Sequence, residues 1–237
     1  MKILVKFILD LFDKITEIKT TKFLKKILSN DINVLIDVGS HKGEYISNII
    51  KNFKYNKIYS FEPNPKIFDA LNKKLSNKKN IKLNLLGVGD CEKIEILNQN
   101  LESSSTSINK LNTSSKYFKK KYLLLNPFNN KLITSPIEIN VITLSTFIKN
   151  NEIPHIDLLK IDTEGYELKV IKGLGEEIKK IKYIHFEHHF DDMIIKNYNL
   201  SNIHNYLGKY KFKKIFKIKM KFRKSFEYIY KNNNQAL

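Results

Sequence analysis

A chain of 237 residues is long enough to bury one substantial core, and a single domain suffices for it. The lone Cys91 excludes an internal disulfide and points to a reducing, cytoplasmic setting, and no apolar run approaches the length that spans a bilayer. The net charge of +18 invites a nucleic-acid partner, but nearly every cation is lysine, Arg223 is the single arginine, and lysine, asparagine and isoleucine are heavily used throughout, so the charge reads as compositional bias and nucleic acid is not the expected partner.

Leu4, Phe7, Ile8, Leu11, Phe12, Ile15 and Ile18 recur at helical spacing, which predicts one or two amphipathic helices over residues 2–28, within an N-terminal segment 1–30. Asp10 and Asp13 interrupt the apolar run and no small-residue cleavage site follows, which argues against a signal peptide. Such a helix covers a sheet edge; being basic, it could also rest peripherally on an anionic membrane.

From residue 33 strands and helices alternate. "NVLIDVG" reads as strand, 43–53 as helix, "KIYSFEP" as strand, 65–77 as helix and "IKLNLLG" as strand, a βαβαβ pattern that implies a parallel sheet with right-handed crossovers. Residues 98–136, with "NQNLESSSTSINKLNTSS", break the rhythm and read as an insertion without clean periodicity. "IEINVIT", a short helix over 143–150, "IDLLKID", a helix from Tyr166 ended by Gly173 or Gly175, and "KYIHFEH" restore it. The tail from Tyr210 to Tyr230 alternates apolar residues with lysines, as an antiparallel hairpin with one wet face does. The predicted fold is α/β and Rossmann-like: N-terminal helices, then one domain over 31–237 with a mostly parallel central sheet and an antiparallel C-terminal hairpin.

Ligands of open parallel sheets bind at the carboxyl ends of the strands. Those ends carry Asp37, Gly39 and Gly43; Glu62; Asp90; Asp162 and Glu164; and Glu187, His188 and His189. The turn Gly39-Ser40-His41-Lys42-Gly43 lacks the middle glycine of a dinucleotide fingerprint, and there is no P-loop. A row of carboxylates repels polyphosphate but suits a ribose diol, an adenine and a sulfonium, the parts of S-adenosylmethionine. Glu62 lies 23 positions after Gly39, where Rossmann-type folds place an acid on ribose hydroxyls.

"IDVGSHKGEY", "FEPNP", "KIDTEGYELKVIKG" and the acid of "HFEHH", in that order over residues 33–190, resemble the FkbM-type S-adenosylmethionine-dependent methyltransferases. The resemblance implies a class I methyltransferase fold and methylation of a hydroxyl on a sugar, glycan or related secondary metabolite. Carried over by position, Asp37, Gly39, Gly43 and Glu62 contact the cofactor and Asp90 neighbours the adenine; Ser40, Glu44, Pro63, Asn64, Gly89 and Asp162 complete the expected cofactor set. His41 and Lys42 depart from the pattern, which more often shows Asn and an apolar residue there.

Methyl transfer from a sulfonium requires alignment of the acceptor oxygen and removal of its proton. Glu164, Asp162 and His188, in that order, are the candidate bases, and Ser104, Ser105 and His188 the candidate acceptor contacts. "HFEHHFDD" is rich in ligand-type residues but lacks a helical H-E-x-x-H spacing, and no metal is expected there. Two other readings stay open: a ribose 2′-O-methyltransferase, for which Lys160 is the discriminating residue, and an inactive fold serving as a membrane-associated scaffold through residues 2–28.

Overall fold

The computed structural model describes residues 2–99, 107–110, 112–125 and 135–234. The chain begins with α1 (Lys2–Leu28), β1 (Asp31–Val38), α2 (Glu44–Asn52), β2 (Lys54–Phe61), α3 (Pro65–Leu75) and β3 (Ile81–Asn84). There follow β4 (Gly87–Gly89), β5 (Lys93–Gln99), α4 (Lys116–Leu125), β6 (Ser135–Thr143), α5 (Leu144–Asn150), β7 (Ile156–Ile161) and α6 (Glu167–Lys172). A 3-10 turn (Gly175–Lys180), β8 (Ile181–His189), α7 (Leu200–Lys209), β9 (Phe212–Lys219) and β10 (Ser225–Asn232) complete it.

The central sheet has the order β3-β2-β1-β7-β8-β10-β9. Strands β3 to β8 in that series pair in parallel, and β10 is antiparallel to both neighbours. The predicted mostly parallel sheet and C-terminal hairpin are therefore present. β9 forms the wet edge, where exposed Lys213, Lys214, Lys217 and Lys219 discourage further strand pairing.

Period-two alternation splits the sheet residues between two cores. On one face Leu35, Ile58, Leu158 and Ile229 pack under Leu24 and Leu28 of α1, Ile46 and Ile49 of α2, and Leu71 and Leu75 of α3. On the other, Ile36, Val38, Leu159, Ile161 and Phe186 pack against α5, α6 and α7. Fully burying Ile46 or Ile49 contributes about 1.5–3 kcal/mol each.

Three places depart from the pattern expected of the sequence. "IKLNLLG" breaks after Asn84, and β4 leaves for a three-stranded sheet ordered β4-β6-β5. Gly87 permits the close approach there: a Cβ on it would stand 3.0 Å from both Ile139 Cδ1 and Val141 Cγ2. The stretch 98–136 is not without structure, since β5 runs into it and it contains α4. α7, unpredicted, starts with a reciprocal cap between Asn199 and Asn202 and buries Ile203 and Leu207. No helix among the described residues is long and apolar enough to cross a membrane.

Candidate active site

A cavity of about 580 Å³ opens at the carboxyl ends of β1, β2, β7 and β8, bounded by α1, the first turn of α2 and the β9–β10 turn. Its first end is built by the turn after β1. Gly39 has φ +83, and a Cβ there would stand 1.9 Å from the carbonyl oxygen of Asp162, so only glycine lets the two strand ends meet. Gly39 and Ser40 donate their amides to the carbonyl of Phe61, at 2.9 and 3.0 Å. Those amides are spent on the turn itself and are not offered to a phosphate. Ser40 Oγ donates to Asp37 O and accepts from Ser60 Oγ, which locks the turn from behind. His41 adopts the left-handed conformation that asparagine and histidine enter at least cost, so the departure from the expected Asn is sterically mild.

Glu62, 7% exposed, lines the cavity. Its Oε2 accepts from His41 N and its Oε1 from Asn64 N, both at 2.9 Å. Burial raises its pKa, with those two amides opposing. One further lone pair on each oxygen remains for a ligand. Beside it Pro63, Ile67, Leu86 and Val88 form an apolar wall. Asp37 stands one layer behind; burial pushes its carboxyl up to about 7 against the opposing Ser40 and Lys160, and Oδ2 has no hydrogen-bond partner among the described residues.

Other expected cofactor residues fall elsewhere. Gly43 is packed on α3, where a Cβ would stand 2.8 Å from Leu71 Cδ1. Asn64 caps α3 through Lys66 N. Gly89 lies between Val141 and Tyr166, and Asp90 is exposed outside the cavity. The break after Asn84 is the cause, because it carries Gly89 and Asp90 off with β4 and leaves Leu86 to Val88 at the switch point. Glu44 does line the cavity, with its Oε2 3.3 Å from His41 Nδ1.

The second end is polar and deep. Lys160, Asp162, His185, Glu187 and Glu227 lie on one face of β7, β8 and β10, beneath α1. Lys160 and Asp162 share a face as regular pleating requires, with Nζ 3.4 Å from Oδ2. Burial lowers the Lys160 pKa, but Asp162, Glu227, Glu187 and Asp37 more than offset it, so the ammonium is held charged. Glu227 Oε2 accepts from Thr20 of α1 at 2.7 Å and stands 3.5 Å from His185 Nε2, whose Nδ1 meets Tyr45 OH at 3.2 Å. Burial lowers the His185 pKa and Lys160 adds to this, with Glu227 and Asp162 opposing. Glu227 is held down at about 2: burial opposes this, and His185, Lys160 and Thr20 outweigh it.

Glu187 is pushed up to about 7, chiefly by burial and then by Asp162, with His189 opposing. Its Oε1 lies 3.2 Å from His189 Nε2, which is also 3.2 Å from Glu164 Oε2. Burial lowers the His189 pKa, yet Glu164, Asp191 and Glu187 overcome it and raise the imidazole to about 10. Among the candidate bases, Asp162 and Glu164 line the cavity. His188 does not: it points to the opposite side of β8, against Phe190 and Tyr198, and burial pushes it down to about 3. Its strand parity excludes it both as base and as acceptor contact at this cavity. Ser104 and Ser105 lie outside the described residues; Ser107 lines the cavity and donates to Glu164 O at 2.8 Å. Among the described residues no three His, Cys, Asp or Glu side chains converge to hold a metal ion.

Glu227, Tyr45 and Thr20 were not singled out by the sequence. Glu227 carried a usable signal, an acid inside the strand "SFEYIYKN"; Tyr45 and Thr20 are ordinary helix residues until α1 and α2 are placed on the sheet.

The methyltransferase FkbM domain family matches residues 37–214. A hexuronic acid methyltransferase, AglP, of Haloferax volcanii is 26% identical over 157 residues, 66% of this chain and 56% of that protein. This chain thus spans little more than half the length of that relative. The structure of methyltransferase FkbM from Methylobacillus flagellatus aligns with TM-score 0.51 at 16% identity, over 84% of this chain and 43% of that one. TrmK of M. capricolum, solved with S-adenosyl-homocysteine, aligns with TM-score 0.50 at 13% identity, over 90% of this chain and 68% of that one. Both structural likenesses are of fold.

Proposed function

The chain belongs to the FkbM methyltransferase family, and from that premise we propose that it transfers a methyl group from S-adenosylmethionine to a hydroxyl of a sugar, glycan or related metabolite. The observation that carries this is the two-ended cavity, with a ribose-type acid and an apolar wall at one end and the buried carboxylate of Glu187 at the other. The residues present fit the cofactor. Glu62 can accept from the ribose hydroxyls, and Pro63, Ile67, Leu86 and Val88 can enclose the adenine.

The bound cofactor supplies an electrophilic methyl on a sulfonium. This chain's residues do the rest. Gly39 keeps the strand ends close enough for one ligand to bridge them, and residues 1–30 act as the cover of the single domain 31–237, with Thr20 of α1 tied to Glu227. Glu187 takes the acceptor proton, since a carboxyl that burial raises to about 7 is matched to that task. Asp162 and Glu164 line the same end and accept hydrogen bonds from neighbouring sugar hydroxyls. Lys160 offsets the collected negative charge; the carboxylates around it raise its pKa against burial, which makes it a poor base and disfavours the ribose 2′-O-methyl reading.

The test is incubation of the purified chain with methyl-labelled S-adenosylmethionine and a panel of hexoses, uronic acids and their glycosides, followed by mass spectrometry. Expected is a methyl ether that survives mild alkali. A product saponified by alkali would replace the hydroxyl with a carboxylate as acceptor, and absence of cofactor binding would overturn the proposal entirely.

A further inference from the structure

The β9–β10 turn, residues 220–224, has the sequence Met-Lys-Phe-Arg-Lys. Met220 and Arg223 line the cavity, and Arg223 is paired with Asp13 of α1, so the turn forms part of the cavity's rim. Phe222 between them is 70% exposed and has φ 61. A bulky aromatic in the left-handed region is strained, and one turned to water forgoes the burial that would offset the strain. Its ring meets Phe12 edge-on at 5.0 Å rather than entering the core.

The surroundings continue this character. Leu11 and Ile18, 48% and 59% exposed, stand two turns apart on one stripe of α1, interleaved with exposed Lys14 and Lys22. Phe190, 52% exposed, donates its amide to the carbonyl of Lys224 and so adjoins the turn. Lys221 lies over the Phe12 ring and Lys224 over Tyr117, keeping cations at the edge of the aromatic patch. Exposed aromatic and aliphatic groups studded with lysines match an anionic lipid interface, where the rings enter the headgroup boundary and the lysines meet phosphate. A soluble protein partner would be expected to present acids to these lysines, but it would leave the strained outward Phe222 without a reason unless it also offered an apolar pocket.

We infer that the face formed by the β9–β10 turn and the Leu11–Ile18 stripe of α1 docks on an anionic phospholipid surface, with Phe222 inserted. Docking there brings the cavity rim to the membrane and favours acceptors held at that surface, a consequence that rests on the proposed function; the docking itself does not.

The sequence contains no tryptophan, so Phe222→Trp in the full chain is a sole reporter. Phosphatidylcholine vesicles with and without phosphatidylglycerol are the probe, and Ile94→Trp, 65% exposed on β5, is the control. Expected is a blue shift at position 222 on anionic vesicles, quenching there by brominated lipid, and neither at 94. Phe222→Ser should weaken vesicle binding about tenfold, and Lys221→Glu with Lys224→Glu by at least as much. Cofactor binding, measured separately by calorimetry, should be unchanged in Phe222→Ser. Cosedimentation without a shift at position 222, the attraction of a bulk charge of +18 alone, would overturn the inference, as would equal shifts at both positions or no vesicle binding.

Discussion

Gly39 and Asp162 meet backbone to backbone: a Cβ on Gly39 would lie 1.9 Å from the carbonyl oxygen of Asp162, at a residue whose φ is +83. This contact sets the spacing of the β1 and β7 ends on which the cavity depends, and a flexible neighbour cannot relieve it because the opposing atom is main chain. Gly39→Ala should therefore cost at least about 2 kcal/mol of stability and abolish detectable cofactor binding. Thermal denaturation and calorimetry on the same preparation check both. A variant that binds normally would mean the two strand ends can separate without loss.

Glu62 is both a turn brace and the proposed ribose acceptor, and two substitutions weigh the roles differently. Glu62→Gln removes the charge but keeps one carbonyl acceptor, whereas Glu62→Ala leaves the amides of His41 and Asn64 without their partner. Losing a charged hydrogen bond of about 1.5–3 kcal/mol should weaken S-adenosylmethionine binding by roughly ten- to a hundredfold in the glutamine variant, and its NH2, facing one of the two backbone amides, should lower the melting temperature by less than the alanine change does. The alanine variant should lose both affinity and stability.

What could be read from the sequence divides along physical lines. The parallel strands β1 and β7 are legible from their apolar runs and β2 and β8 from β-branched and aromatic residues between turn signals, and the proposed cofactor end is legible because Gly39 and Glu62 mark a turn and a strand end locally. Asp90 was misplaced because the break between β3 and β4 depends on a cross-sheet fit at Gly87, which no local pattern announces. Strand parity alone sets His188 on the opposite side of β8 from Glu187. The deep cluster of Lys160, His185 and Glu227 joins residues far apart in sequence, and it emerges only when β10 is inserted between β8 and β9.

Glu187 as proton acceptor makes a pH prediction with a definite sign. The carboxylate must be ionised to take the proton, and its pKa stands at about 7, so kcat/KM should rise with pH and level off above that value. Glu187→Gln should lower kcat about 10²–10⁴-fold and flatten this limb, while cofactor affinity stays within a few-fold. An unaltered limb in the variant would assign the titration to another group, with Asp37 first in line.

Lys160 is buried among four carboxylates, so its removal leaves them facing one another in low dielectric. Lys160→Met should destabilise the fold by about 3–5 kcal/mol, visible as a lower urea midpoint at pH 8. The loss should shrink at pH 5, where Asp37 and Glu187 carry protons. A variant of full stability but no activity would instead give Lys160 a direct part in the chemistry and revive the ribose reading.

Asp37 supplies the complementary case. Its folded pKa of about 7 exceeds the ordinary value of 3.8, so between those values the folded state binds more protons than the unfolded chain, and stability falls as pH rises through that window. Asp37→Asn removes this dependence. The variant should gain on the wild type as pH is raised from 4.5 to 8, ending about 1–3 kcal/mol more stable, because a buried acceptor without a partner is expensive as a charge. The same change should leave cofactor affinity within a few-fold, since Asp37 stands one layer behind the cavity wall. Denaturant melts across that pH range, beside calorimetry at pH 8, measure the two effects together. A stability difference that does not vary with pH would show that Asp37 is ionised throughout and already has its counter-charge in Lys160.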